Sequence, residues 1–320
     1  MSALPKLIAV VGPTASGKTA LSLELAHRLG GVEIVSADAR QIYRTLTIGT
    51  AKPVGTAKAD EQQGITSIGA LFGGTTHLDV EDVPHWGFDL LDPSEEWSAA
   101  EFQAFAFRTI DAVLGRGYLP FLVGGTGLWV RAVVEALAFV RVPPQPELRA
   151  AFAKRSASDL FHEYKQLDPE GAQVIDRQNP RRLARALEIC YVTKQPASAL
   201  QRPSEPHYKT LMIGLSPETD LLNDRIRLRV DQMIASGLID EARRAYATYG
   251  VEAPGLSAIG YPELKRFFDG VCSLREAVEQ IVLHTQDYAK RQRTWFRKEP
   301  VRWVSSTDEA LSVIEPFLHS

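Results

Sequence analysis

The sequence predicts an α/β protein: a parallel sheet with helices on both faces, a helical insertion and a set of C-terminal helices. Three observations lead there. Strand-like and helix-like runs alternate through the first third of the chain, a glycine-rich loop joins the first strand to the first helix, and three prolines between 143 and 146 open a helical stretch. Alternation of this kind builds parallel sheets, and ligands then bind at the carboxyl ends of the strands.

The apolar run Leu7 to Val11 is the first strand. Gly12-Pro13-Thr14-Ala15-Ser16-Gly17-Lys18-Thr19 follows, a complete G-x-x-x-x-G-K-[ST] phosphate loop, and a helix is expected over about 18–29. In such a loop backbone N–H groups converge on phosphate oxygens, Lys18 adds a point charge, and the Thr19 hydroxyl suits a phosphate-bound Mg²⁺. A P-loop NTPase-like core is therefore expected. A second strand is read at 32–36, a helix at about 98–115 and a strand at 118–123, which ends in Gly124-Gly125-Thr126-Gly127. Residues 54–82 show no sustained period and read as a long surface excursion.

Arg141-Val142-Pro143-Pro144-Gln145-Pro146 cannot continue a helix and marks a boundary. From 146 to about 200 the pattern is helical, with Leu160, Tyr164 and Leu167 in one stripe and Leu183, Ala186, Leu187 and Cys190 in another. The strand-like run Lys209 to Leu215 returns the chain to the first sheet. The expected division is thus a core of 1–140 plus 206–320 and an insertion of 141–205. Further helices are expected at about 218–236, 238–248, 273–297 and 307–318; in the third of them Val278, Ile281, Tyr288 and Trp295 share an apolar side.

The chain has 320 residues, 45% hydrophobic and 23% charged, with a formal net charge of −3. No apolar run approaches the ~20 residues that span a bilayer, and the N-terminus runs straight into a strand, so a cytoplasmic protein without a membrane partner is expected. Cys190 and Cys272 read as buried small hydrophobes, and the seven histidines lack ligand spacing; His77 and His85 share a loop-like region without further ligands nearby. The overall charge opposes indiscriminate nucleic-acid binding. Positive charge is nevertheless clustered at Arg177 to Arg185, at Arg225, Arg227 and Arg229, and at Lys290 to Lys298, which suits a polyanionic partner.

Asp38 stands just past the second strand, where its carboxylate can enter the crevice beside the phosphate loop. There it could serve Mg²⁺, act as a general base, or simply cap a helix.

Seven ordered segments carry a resemblance. Gly12 to Thr19, Asp38 to Tyr43, Ile48 to Pro53, Gly124 to Leu128, Asn179 to Arg182 with Arg185 to Glu188, Ile259 to Tyr261, and Ala289 to Gln292 with Thr294-Trp295 resemble the tRNA dimethylallyltransferase (isopentenyltransferase) family from about residue 5 to about 300. The resemblance implies transfer of a dimethylallyl group from dimethylallyl diphosphate to N6 of the adenosine 3′-adjacent to a tRNA anticodon, position 37. It implies that residues Gly12 to Thr19 and Arg229 hold the diphosphate with Mg²⁺ at Thr19, that Asp38 accepts the N6 proton, and that Thr126 lies beside the reacting centre. It implies tRNA contacts from Asp38, Ala39, Arg40, Gln41, Thr126, Arg149, Arg181, Arg182, Leu183, Ala184, Arg185, Ser257, Ala258, Ile259, Gly260, Tyr261 and Pro262. The insertion is then expected to close on the anticodon stem-loop, whose target base must be extruded, and the enzyme to work as a monomer. Ala39 stands where the family usually has Ser, Trp129 where Tyr is usual, Ser257 where Gln is usual, and Pro262 where Lys or Arg is common. A transferase acting on free adenylate and a phosphoryl-transferring kinase are the competing enzymes; a non-enzymatic RNA-binding module leaves Asp38 and Thr19 without a task.

Overall fold

The computed structural model describes residues 4–59, 76–140, 142–200 and 205–320. By compactness the chain divides into one unit of Met1–Glu135 with Pro206–Ser320 and a second of Ala136–Glu205. The boundary residue Arg141 lies outside the described residues.

In the larger unit β1 (Lys6–Val11), α1 (Lys18–Leu29), β2 (Val32–Ser36), α2 (Ala99–Gly115), β6 (Leu119–Gly124) and β7 (Lys209–Gly214) stand where the alternation predicts them. Among the described residues the sheet has the order β3-β4-β5-β2-β6-β1-β7-β8, in which β3 is Thr56–Ala59, β4 is Thr76–Val80, β5 is Val83–Trp86 and β8 is Arg302–Trp303. From β5 to β8 every pairing is parallel, whereas β3, β4 and β5 pair antiparallel. Leu7 to Val11 are buried without exception, because strand β1 is covered on both faces. Leu7, Ala9 and Val11 join one apolar cluster and Ile8 and Val10 the other, as the period of two requires.

The excursion of 54–82 is corrected in part: Thr56–Ala59 and Thr76–Val80 are strands that extend the sheet, while residues 60–75 lie outside the described ones. The Thr-Ala-Lys-Ala run has little strand propensity of its own, and its partner strand supplies the pairing. His77 and His85 accordingly stand on strands and not in a loop. The short helices α3 (Gly127–Val134) and, later in the chain, Tyr261–Phe268 are also new; each starts at or beside a glycine, which weakens the local helix signal.

The smaller unit comprises α4 (Pro146–Ala153), α5 (Ala157–Leu167), α6 (Gly171–Val174), α7 (Pro180–Thr193) and α8 (Ala197–Leu200) around Phe152, Leu160, Tyr164, Leu183, Leu187 and Cys190. Leu167 leaves the predicted stripe and is 39% exposed. It ends α5, and the next residue, Asp168, turns inward to accept hydrogen bonds from the Tyr164 hydroxyl, the Gly171 amide, and the Ser198 amide and hydroxyl. Cys190 is buried as predicted, but Cys272 is only half-buried.

After β7 come α9 (Thr219–Ala235), α10 (Leu238–Tyr249), α11 (Tyr261–Phe268), α12 (Leu274–Phe296) and α13 (Thr307–His319). A capping box of Ser273 with Glu276 starts α12, the longest of these helices. No described helix is long and apolar enough to cross a membrane.

Candidate active site

The phosphate loop leaves β1 at Val11 and enters α1 through Gly17, whose φ of 99° places it in the left-handed region where a side chain is strained. The loop meets a second element. Arg225 and Arg229, one turn apart on α9, reach back to it: Arg225 Nη1 donates to Ser16 O at 3.4 Å and Arg229 Nη1 to Thr14 Oγ1 at 3.2 Å. Lys18 Nζ donates to Pro13 O at 2.7 Å, so the ammonium is folded over its own loop. Three cations thus surround a set of loop amides, an arrangement that suits a diphosphate or triphosphate.

Burial brings the Lys18 ammonium down to about 8, opposed by the Asp38 charge and reinforced by Arg229. Burial likewise lowers Arg229, with Asp38 opposing. An anionic ligand binds the protonated lysine better, so this contribution is present below about 8 and is lost as pH rises through it. We expect the dissociation constant for inorganic diphosphate, followed by calorimetry, to rise above that pH more steeply in wild type than in Lys18→Met. Parallel profiles would show that Lys18 does not face the ligand.

Asp38 follows β2, and its Oδ1 accepts the Arg40 amide at 2.9 Å. The segment after it is a turn and not a helix, which removes the capping alternative. Thr126 is the N-cap of α3; its Oγ1 accepts the Ala39 amide at 3.0 Å, while its own amide donates to Ala37 O at 3.3 Å. The loops after β2 and β6 are thereby tied together. Tyr288, from α12, joins them: burial first, and then the Asp38 charge, push its phenol up to about 12, and Thr126 hydrogen-bonds to it. Sequence reading placed Tyr288 only on an apolar helix side; spacing could not show that this side looks into the crevice.

One cavity of about 770 Å³ is lined by Lys18, Thr19, Asp38 and Arg229 and also by the apolar side chains of Leu23, Ile34, Phe88 and Val123. Such a space fits a ligand with a charged head and a hydrocarbon body. Among the described residues no group of three His, Cys, Asp or Glu could hold a metal ion. Thr19 offers a hydroxyl oxygen, a donor that fits Mg²⁺, which retains waters and shares phosphate oxygens.

The remaining predicted residues divide into surface and support. Arg40 Nη1 donates to the Ser257 hydroxyl at 3.0 Å, and Ser257 and Pro262 are exposed. Gln41 is committed to the carbonyls of Thr50 and Ala51. Tyr261 is 0% exposed and donates to Glu241 Oε1, so its ring is packed in the core and is not presented at the surface. Ala258 is buried too, and Gly260 heads α11 with its amide on Glu263. Ile259 packs half-buried against the core. Trp129 stacks on Phe102 with ring centroids 4.0 Å apart, so that departure from the usual Tyr is absorbed by packing.

In the smaller unit Arg181 and Arg182 are exposed in the first turn of α7, and Ala184 is half-buried. Leu183 packs in the core with Leu187 and Cys190, as its apolar stripe predicts, so its side chain is not presented at the surface. Arg185 and Arg149 both pair with Glu188, which also accepts the Gln145 amide. Burial raises the Glu188 carboxyl, but the bonds from Arg149, Gln145 and Arg185 outweigh it and hold the group below its ordinary range.

The fold and site define a phosphate-loop transferase, in which the phosphate loop, a carboxylate and apolar side chains line one cavity. The signature of the IPP transferase family matches residues 73–299 and that of the isopentenyl transferase family residues 5–66. The chain is 41% identical to a tRNA dimethylallyltransferase of Acaryochloris marina, over 96% of this chain and 95% of that protein. It is also 41% identical to one of Geobacillus thermodenitrificans, over 95% and 91% of the two chains. The crystal structure of a tRNA isopentenylpyrophosphate transferase from Bacillus halodurans superposes with a TM-score of 0.67 at 38% identity, covering 98% of this chain and 95% of that one. A eukaryotic dimethylallyltransferase acting on tRNA shares the fold, with a TM-score of 0.79 at 22% identity over 98% and 80% of the chains. The chain belongs to the tRNA dimethylallyltransferase family and is a prenyltransferase.

Proposed function

We propose that the protein transfers a dimethylallyl group from dimethylallyl diphosphate to N6 of the adenosine 3′-adjacent to the anticodon of tRNA. The observation that carries this reading is the shared cavity: Asp38 lines it together with Lys18, Thr19 and Arg229, and the apolar Leu23, Ile34, Phe88 and Val123 line it too. The N6–C1 bond forms as the C1–O bond to diphosphate breaks, and the N6 proton passes to the Asp38 carboxylate. A neutral exocyclic amine is a weak nucleophile, so the base and the stabilised leaving group act together. Lys18, Arg229 and the loop amides take up the charge that grows on the diphosphate, and Thr126 fixes the Asp38 turn through the Ala39 amide. Thr19 would hold Mg²⁺, which would supply further charge neutralisation at the leaving group.

The decisive assay incubates the protein with Mg²⁺, dimethylallyl diphosphate and unmodified tRNA, then examines the nucleosides by mass spectrometry. Prenylated adenosine next to the anticodon is the expected product; prenylation of free adenylate alone, or phosphate transfer from ATP, would refute the reading.

For RNA recognition, Arg181 and Arg182 are the freely presented cations of α7, whereas Arg185 is engaged by Glu188. Replacing Arg181 and Arg182 by Ala should lower the slope of log affinity against log salt by about one unit for each phosphate that is no longer neutralised. Filter binding of tRNA across a KCl series reads this directly, and an unchanged slope would mark both as ordinary solvated surface. Diphosphate binding should be unaffected.

A further inference from the structure

Gln292 lies on α12 one turn beyond Tyr288, so the two side chains leave the same face of the helix. Gln292 is 6% exposed, and its amide is satisfied at both ends. Oε1 accepts the Thr14 amide at 2.7 Å, and Nε2 donates to Gly125 O at 2.8 Å. These partners stand on different loops. Thr14 belongs to the phosphate loop and its hydroxyl is held by Arg229; Gly125 belongs to the loop after β6 and immediately precedes Thr126, which holds the Asp38 turn. The fit is close: a Cβ on Gly125 would collide with Gln292 Nε2.

Burying a primary amide is unfavourable unless each end finds a partner, and a core helix of this length has cheaper apolar residues for filling space. What this amide adds is a fixed span between two loops that adjacent strands alone position only at their roots. Its Thr14 bond also commits that N–H to the frame, leaving the later loop amides for phosphate.

We infer that Gln292 is a positioning residue: it locks the diphosphate cradle to the edge that carries Thr126 and Asp38, and so sets the distance between leaving group and base. The inference rests on the transfer reaction proposed above. It acts on geometry, and a displacement of about 1 Å between reacting groups can lower a rate about 10²-fold.

Gln292→Met fills the same volume without hydrogen bonding, so it isolates the bridge from a packing defect. Its single-turnover rate at saturating donor should fall about ten- to a hundredfold, its affinity for inorganic diphosphate with Mg²⁺ should weaken, and its tRNA affinity should hold. Gly125→Ala should reproduce this by displacing the amide. Added to Gln292→Ala, which vacates the space the new Cβ needs, Gly125→Ala should cause little further loss. A lowered melting temperature with an unchanged single-turnover rate, or additive losses in the double variant, would reduce Gln292 to core packing. If wild type makes no prenylated adenosine, the reaction reading fails. The diphosphate measurement still judges Gln292, because unaltered binding by Gln292→Met would then show that the amide does not shape the cradle.

Discussion

Asp38→Ala is expected to lower single-turnover prenyl transfer by about 10²- to 10⁴-fold, the range for losing a positioned general base. The carboxylate lines the cavity with the phosphate loop, and its turn is pinned by the Arg40 amide and, one residue on, by Thr126. The bond to the Arg40 amide is local, so its loss leaves the β2 and β6 pairing intact. Affinities for inorganic diphosphate and for tRNA should therefore stay near wild type while the rate collapses. Asp38→Asn keeps the shape and an acceptor for the Arg40 amide but cannot take a proton at neutral pH, so it should fail as severely. A near-normal rate in either variant, measured by quenched flow with saturating donor, would remove Asp38 from the chemistry.

The second large effect is expected at Lys18. Removing its ammonium takes away one of the charges facing the leaving group, and losses of about 10²- to 10³-fold are usual for such donors. In Lys18→Ala the drop should appear in kcat/KM for the donor and in diphosphate binding, with tRNA affinity preserved. The half-buried side chain makes one hydrogen bond, to Pro13 O, so folding should be little affected. If Lys18→Ala lost tRNA binding but kept its donor kinetics, the cradle would have to be placed elsewhere.

Both predictions start from residues whose roles were visible early, for different reasons. The phosphate loop is legible because its geometry is local: Gly17 and Lys18 act within a strand, a turn and a helix that adjoin in sequence. Asp38 was legible only as a position at a strand end, and three roles stayed open until the turn after it showed that it caps no helix. The segments expected to contact RNA are mixed in burial. Arg181 and Arg182 are exposed, but Leu183 and Tyr261 sit inside the core, since a contiguous motif mixes residues that face outward with those that hold it in place.

By itself the sequence determined the phosphate-loop core, the parallel strands β1, β2, β6 and β7, and the helical character of the segment from 146 to about 200. These depend on short-range periodicity and on a motif whose residues act through their immediate neighbours. Only the tertiary structure decided that β3 and β4 extend the sheet, that Glu188 engages Arg149 and Arg185, and that α12 brings Tyr288 and Gln292 to loops more than a hundred residues away in the chain. Hydrogen bonds between distant segments leave no period in either partner: a glutamine on a helix looks the same whether it faces water or closes a bridge between two loops.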